Sequence, residues 1–174
     1  NAGTILYTVN GGTGWIPITG VTNEDLHDVA FLNPSLGIIV GDNGKILRST
    51  NGGTIWVTIP SGTSNNLRTV SFGDGSMVYA GGRDGIIIRS TNNGLNWSTV
   101  TTGVIRYRGS SAKGTKSWIV GESGLISAST NSGASFTTQA SNTASDLQNI
   151  FMLNELTGYT GGQKSTIVYT SNGG

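Results

Sequence analysis

The sequence predicts an all-β fold in which about four repeats each form one four-stranded antiparallel sheet. The first observation is an eight-residue box, typified by Ser49 to Trp56, whose asparagine recurs at intervals of 41, 41, 39 and 41 residues along the 174-residue chain. The second is that the segments between boxes contain short alternating or β-branched runs separated by glycine-rich turns, with no helical periodicity. Because a ~41-residue repeat of four short strands is typical of a propeller blade, we predict a β-propeller of four-stranded antiparallel blades.

One repeat, residues 67–100, shows how each strand is identified. Leu67 to Phe72 alternates apolar and polar side chains, which is the pattern of a half-buried strand. A glycine-rich turn leads to a second strand, Met77 to Gly82, and the tight hairpin of residues 83–85 follows. Ile86 to Ser90 is β-branched enough to lie in mid-sheet, and Trp97 to Val100 forms the fourth strand after the box.

The repeats extend from end to end, so residues 1–174 are predicted to form a single domain. Repeats run near 4–44, 45–85, 86–124 and 125–165, with a partial fifth at 166–174, and the third-strand pattern therefore occurs five times and the other strands four times. Three explanations of this uneven count are open. The chain is part of a longer propeller, a subunit whose ends complete a neighbour's blade, or a small closed ring. We favour the first two, because open strand edges promote association. Self-association through the end strands is thus expected.

Composition excludes several classes of function. The net charge of +1 gives no electrostatic footprint for nucleic acid or for an anionic membrane. The chain has no cysteine and one histidine, which excludes disulfides and the Cys- and His-rich metal sites. No apolar run is long enough to cross a bilayer, and no cofactor motif is found. Few charges, many Ser, Thr and Asn residues and no cysteine favour a bacterial secreted or cell-surface protein.

The box is predicted to be a structural turn. Its short polar side chains can accept hydrogen bonds from their own turn backbone, glycines adopt left-handed conformations, and the aromatic ring covers the turn. The box residues are Asn10 with Trp15, Asn51 with Trp56, Asn92 with Trp97, and Asn131 with Phe136. A fifth, truncated box contains Asn172.

These boxes resemble the Asp-box of the sialidase-type (BNR) repeat, with Asn in place of Asp in every copy. The whole blade, with its Leu-x-x-Val-x-Phe opening and Gly-x-x-Gly hairpin, is similar to the photosystem II stability/assembly factor type of propeller found in secreted bacterial proteins. The resemblance covers essentially the whole chain. It implies a propeller fold and leaves the activity open, because such boxes lie on turns away from the functional face. The family is also associated with an arginine patch, whose members are not assigned to individual residues of this sequence.

Candidate catalytic residues are few. Glycosidases generally need two facing carboxylates, and of the nine acidic residues only Asp28 falls within a strand, without a carboxylate partner at an equivalent position. His27 has no Gly-x-Ser-x-Gly elbow to serve, and Asp42-Asn43-Gly44 resembles the start of a calcium loop but lacks its later ligands. We therefore predict no catalytic residues, no metal and no cofactor.

A more informative set comes from superposing the first strand of each repeat. His27, Arg68, Arg108 and Gln148 occupy the same position in successive blades, and we call them the channel arc. Because the first strand lines the central channel of a propeller, these side chains are predicted to form a polar arc near one channel mouth, where two arginines could bind a carboxylate, a phosphate or an acidic peptide. The alternative is that they are solvated rim residues. The hairpin tips Asp42, Arg83, Glu122 and Lys164 superpose as well, and their mixed charges favour a role in solubility alone.

The sequence therefore predicts a non-catalytic β-propeller interaction or structural module. Its expected partners are a protein, a second copy bound through the end strands, or an acidic peptide or glycan at the channel arc. The alternative is a segment of a secreted carbohydrate-active enzyme, sialidase-like or another glycosidase, whose catalytic residues lie outside this chain.

Overall fold

The computed structural model describes residues 3–101 and 103–174, and in those residues seventeen strands form five antiparallel sheets. The first sheet pairs β1 (Ile5–Tyr7) with β2 (Ile16–Ile18). The second sheet contains β3 (Leu26–Phe31), β4 (Gly37–Gly41), β5 (Ile46–Ser49) and β6 (Val57–Thr58) in sequence order.

Two further four-stranded sheets and a three-stranded sheet follow the same order. The third sheet contains β7 (Leu67–Phe72), β8 (Val78–Gly82), β9 (Ile87–Ser90) and β10 (Ser98–Thr101). The fourth contains β11 (Tyr107–Lys113), β12 (Lys116–Gly121), β13 (Ile126–Ser129) and β14 (Thr137–Gln139), and the fifth contains β15 (Leu147–Met152), β16 (Gly158–Gly162) and β17 (Ile167–Thr170). The predicted all-β fold of four-stranded antiparallel blades is confirmed.

The boundaries of the sequence repeats do not coincide with the boundaries of the sheets. The repeats counted in the sequence end in the turns between the second and third strands, so each of them takes strands from two sheets. These turns are single 3-10 turns in the second, third and fourth sheets, at Asp42–Gly44, Arg83–Gly85 and Glu122–Gly124. Their central residues adopt left-handed backbone conformations, with φ of 53° to 56°. Residues 1 and 2 of the predicted domain lie outside the described residues.

Apolar side chains fill the space between each pair of neighbouring sheets. The largest cluster joins the second and third sheets through residues such as Ile38, Leu67 and Ile88, which are fully buried. Ile87, Tyr107 and Ile119 form the corresponding cluster between the third and fourth sheets. Since burial of such side chains is worth about 1.5–3 kcal/mol each, the blades are held to one another mainly by these contacts.

The first strands of the four larger sheets lie side by side at the centre. β3 packs against β7, β7 against β11 and β11 against β15, and together they line a cavity of about 590 Å³, which we call the channel. The box turns lie at one end of the sheets, where the Gly52 N–H donates to the Ser35 carbonyl at 2.9 Å. We call this end the box face. The opposite end, the hairpin face, carries the turns between second and third strands, and the Asp42 N–H there donates to the Asp25 carbonyl at 2.9 Å.

Candidate functional site

Each residue of the channel arc occupies a β-bulge in its strand. The pairing of β3 with β4 skips one residue between Leu26 and Asp28, and His27 is the skipped residue. The same irregularity recurs at Arg68, Arg108 and Gln148 in β7, β11 and β15. A bulged residue is not committed to the alternation of the strand, so its side chain can be directed away from the sheet. Here the four bulges bring the arc residues together at the hairpin face.

The channel arc lines one cavity of about 270 Å³. Two arginines that the sequence comparison missed complete its wall, and the full lining is His27, Arg68, Arg83, Arg106, Arg108 and Gln148. Arg83 comes from the hairpin tip of the third sheet, and Arg106 from the residue that precedes β11. The predicted polar arc is therefore a contiguous, arginine-rich cavity at the mouth of the channel.

His27 connects the first two members of the arc. Its Nε2 atom lies 2.7 Å from Oδ1 of Asp42, and its Nδ1 atom lies 3.2 Å from a terminal nitrogen of Arg68. The other terminal nitrogen of Arg68 lies 3.4 Å from the same carboxylate oxygen. His27, Arg68 and Asp42 thus form a closed group of contacts between the second and third sheets.

A second charged group lies across the cavity. Arg108 donates to Oε1 of Glu122 at 2.8 Å and lies 3.5 Å from Oδ2 of Asp146. Arg106 approaches the same Glu122 oxygen at 3.4 Å. Asp42 and Glu122 at the hairpin tips were expected only to aid solubility, and here both bind residues of the cavity wall. Arg83, a third hairpin tip, lines the cavity as well, so a role in solubility alone does not account for these three positions.

The cavity carries more donors than acceptors. Four guanidinium groups line it, whereas three carboxylates contact these groups, those of Asp42, Glu122 and Asp146. The buried Nε atoms of Arg68, Arg106 and Arg108 have no hydrogen-bond partner among the described residues. Burial lowers the pKa of Arg68, and the nearby positive charges of Arg83, Arg106 and Arg108 lower it further against the opposing effect of Asp42. Chemically, such a cavity is suited to an anionic group with several acceptor oxygens.

Asp28, the one strand-borne acid, joins two blades inside the channel. Its Oδ1 atom accepts from the Val29 N–H and its Oδ2 atom accepts from the Val70 N–H of the next blade, both at 2.8 Å. Burial raises the pKa of its carboxyl, while the hydrogen bonds from Val70, Val29 and Thr69 act in the opposite direction. Both oxygens are thus committed to the fold, which argues against a role of Asp28 as a glycosidase carboxylate.

The box residues do what the sequence predicts for a turn. Oγ of Ser90 accepts from the Gly94 N–H at 2.9 Å and donates to Oδ1 of Asn92, and that oxygen also accepts from the Asn96 N–H. The same bonds recur in the box that contains Asn51. Of the aromatic residues, Trp56 is buried and Trp97 and Phe136 are half-buried, whereas Trp15 is 58% exposed and covers its turn only loosely.

The second glycine of the box has a further role, between blades. A Cβ at Gly94 would lie 2.5 Å from Cδ1 of Ile38, and a Cβ at Gly133 would collide with the ring of Tyr79. Ile38 and Tyr79 belong to the second strands of the preceding blades. In the third and fourth sheets the box is therefore a contact surface between blades as well as a turn, which the sequence alone did not indicate.

The described residues contain no group of three or more His, Cys, Asp and Glu side chains arranged to hold a metal ion. They also include no helix with the length and hydropathy needed to cross a membrane.

Comparisons with known proteins agree with the fold. Residues 7–106 match the sequence model of the family described as Photosynthesis system II assembly factor YCF48. A solved structure described as YCF48 bound to D1 peptide superposes with a TM-score of 0.53 and 16% identity, covering 98% of this chain and 88% of that one. The comparison with curated proteins returned no match.

Two other solved structures have higher TM-scores but are longer. YCF48 from Cyanidioschyzon merolae gives 0.66 at 16% identity, covering 99% of this chain and 57% of its own length. An ancestral GH74 enzyme gives 0.70 at 19% identity, covering 99% of this chain and 25% of its own. This chain therefore spans just over half of the one protein and a quarter of the other. These similarities confirm the BNR-type propeller fold.

Proposed function

Because the chain belongs to the Photosynthesis system II assembly factor YCF48 family, we propose that it is a non-catalytic β-propeller module that binds a partner protein through an acidic segment. The observation that carries this proposal is the arginine-rich cavity, which four guanidinium groups line and three carboxylates contact. A carboxylate offers acceptor oxygens to the N–H groups that line the cavity, and such charge-assisted hydrogen bonds are strong. The relative solved with a D1 peptide supports a peptide as the class of ligand.

The acidic segment enters at the hairpin face. Its carboxylates contact Arg68 and Arg108, which stand on neighbouring blades, and Arg83 and Arg106 add positive charge between them. Because the arginines already contact Asp42, Glu122 and Asp146, the bound peptide shares donors with these residues. The exposed rim of the cavity keeps the exchange reversible and dependent on salt.

The test is the binding of a labelled hexa-aspartate peptide by fluorescence anisotropy, with hexa-asparagine as the uncharged probe. The double variant Arg68→Gln/Arg108→Gln is expected to lose about tenfold or more in affinity, since hydrogen bonds to charged groups are worth ~1.5–3 kcal/mol each. Lys113→Gln/Lys116→Gln removes the same charge from the box-face turn between β11 and β12 and serves as the matched control. Equal affinities for the two double variants, with unchanged melting temperatures, would overturn the proposal.

The alternative function is a segment of a secreted carbohydrate-active enzyme. The ancestral GH74 enzyme among the solved structures supports it, at a quarter of that enzyme's length. The hydrogen bonding of Asp28 favours the non-catalytic function. A screen of glycan binding and hydrolysis separates the two: binding of a glycan without binding of the acidic peptide would favour the enzyme segment. Turnover by this chain that is lost in Asp28→Asn would place a catalytic residue within it and overturn the non-catalytic function.

Association through the first and last sheets is a second candidate activity. Their outer surfaces expose apolar side chains, among them Leu6 at 52%, Ile167 at 77% and Tyr169 at 54%. We propose that these surfaces bind a second copy or a further propeller segment, in a secreted or surface-exposed protein. Light scattering tests self-association: a monomer at every concentration would remove it, whereas loss of association in Ile167→Ser would support it.

A further inference from the structure

The two ring nitrogens of His27 have partners with different requirements. Nε2 lies 2.7 Å from Oδ1 of Asp42, and Nδ1 lies 3.2 Å from a terminal nitrogen of Arg68. A guanidinium group has only donors, so Nδ1 must accept the hydrogen bond and carries no proton. The geometry therefore corresponds to a neutral ring that donates from Nε2 to Asp42.

A proton on Nδ1 would be incompatible with this contact. It would direct an N–H of a charged ring at an N–H of Arg68, placing two donors and two positive charges at 3.2 Å. Arg68 would then keep only the longer contact of 3.4 Å to Asp42. Its guanidinium would be released toward the cavity, where an anion can accept its hydrogen bonds.

The charges that face His27 favour the same outcome. The cavity that it lines also contains Arg83, Arg106 and Arg108, and a groove on its other side is lined by Tyr7 and by its strand neighbour Asp28. Asp42 is the only carboxylate in hydrogen-bonding contact with the ring among the described residues. A positive ring therefore adds charge to a cavity already rich in guanidinium groups, and a bound anion relieves the resulting repulsion.

We propose that His27 links anion binding to protonation, so that a proton on its ring releases Arg68 and strengthens binding of the acidic peptide. This inference rests on the proposed function, because it concerns the same cavity. Binding and protonation are reciprocal: whatever factor the proton adds to peptide affinity, the peptide adds to proton affinity. Histidine is the side chain whose ordinary charge change falls between pH 5 and 8, and the experiment therefore compares two pH values inside that range.

The first experiment measures the affinity of the labelled hexa-aspartate peptide at pH 7.5 and pH 5.5 at constant ionic strength. The aspartates of the probe stay ionised at both values, since their ordinary pKa is about 3.9. We expect binding about fivefold tighter or more at pH 5.5, the lower end of typical coupling between two sites. In His27→Gln the amide can accept from Arg68 and donate to Asp42 without titrating. The affinities of this variant for the peptide at pH 7.5 and pH 5.5 should therefore differ by no more than about twofold.

The outcomes distinguish failure of this inference from failure of the proposed peptide-binding function. Tight binding with the same pH dependence in both proteins, or with none in either, overturns the role of His27 and leaves the peptide site standing. No binding at either pH overturns both.

A second measurement does not depend on the folding of any variant. The chain has one histidine, so its imidazole resonance in an NMR titration is unambiguous. The midpoint of that titration should move to higher pH when saturating peptide is added and stay in place with hexa-asparagine. A midpoint that the acidic peptide does not move would overturn the inference.

Discussion

Neighbouring blades are joined by different chemistry at the two faces of the propeller. At the box face, Gly94 packs on Ile38 of the preceding blade, and the hydrogen bonds of the turn are satisfied by its own uncharged side chains. At the hairpin face, the same two sheets are in contact through the charged side chains of Arg68 and Asp42 and the imidazole of His27, all of them only partly buried.

The difference separates two kinds of repetition. The box keeps its Ser or Thr, its Asn and its glycine in every copy because each blade needs the same turn, and at Gly94 and Gly133 the glycine also packs against the preceding blade. The bulge has the same geometry in each of the four strands but holds a different residue in most of them: His27, Arg68, Arg108 and Gln148. A position that is constant in shape and variable in chemistry is where a repeat protein can carry a binding site. Substitutions at the box face should therefore affect stability, and those at the hairpin face should affect binding.

The largest effect is expected from Gly133→Ala at the box face. Gly133 has a φ of 72°, and its new Cβ would collide with the buried ring of Tyr79. Left-handed strain costs about 1–2 kcal/mol and overpacking about 1–3 kcal/mol, so we expect a loss of about 3 kcal/mol in the free energy of unfolding, measured by urea denaturation. Gly62→Ala is the matched control, because Gly62 has a φ of 77° with open space around it. Similar losses in both variants would show that the contact between blades is unimportant.

A smaller loss is expected from Ser90→Ala. Ser90 is 1% exposed, and its Oγ accepts from the N–H groups of Gly94 and Asn92. Removing an acceptor from buried donors costs about 1–3 kcal/mol. Thr8 makes the same bonds in a half-buried box, where water can replace it, so Thr8→Ala should cost less. If Thr8→Ala proves as costly as Ser90→Ala, burial of the box does not determine its contribution.

The smallest effect concerns Asp28 in the channel and depends on pH. Burial raises its pKa in the folded state, so the native protein holds this proton to a higher pH than the unfolded chain. Its contribution to stability is therefore fully present below the unfolded pKa and is lost as pH rises through the folded one. The difference in free energy of unfolding between the native chain and Asp28→Asn should fall as pH rises from about 4 to 7. A difference that grows over this range would mean that the hydrogen bonds outweigh burial.

The sequence predicted the strands well where alternation and glycine turns coincide. Leu67–Phe72 is a strand over the predicted residues, and Ile87 and Ile88 are buried in the third strand of their sheet, as expected from their β-branched side chains. Ile86, which was predicted to begin that strand, is buried immediately before it. These features depend on local residue patterns that recur in each repeat. The exposure of Trp15 was not predicted, because it depends on how much of a neighbouring blade covers the turn.

The candidate site was predicted in part, by comparing one position across repeats. That comparison found the channel arc but not Arg83 or Arg106, which stand at other positions of the repeat and meet the arc only in three dimensions. Comparing the residue before each first strand would have shown Arg106 beside Asp25, Asn66 and Asp146. The bulges themselves were not predicted, because a bulge is a property of the pairing between two strands rather than of either sequence.

The bulge has a practical consequence for protein engineering. Since its residue is excluded from the pairing register, replacing it alters neither the inward and outward alternation of the strand nor the apolar clusters between blades. The four bulge positions are therefore suitable sites for a combinatorial library. Randomising residues 27, 68, 108 and 148 would vary ligand preference while the blades stay constant. Variants selected from it should keep the melting temperature of the parent within a few degrees and differ in the anion or peptide that they bind.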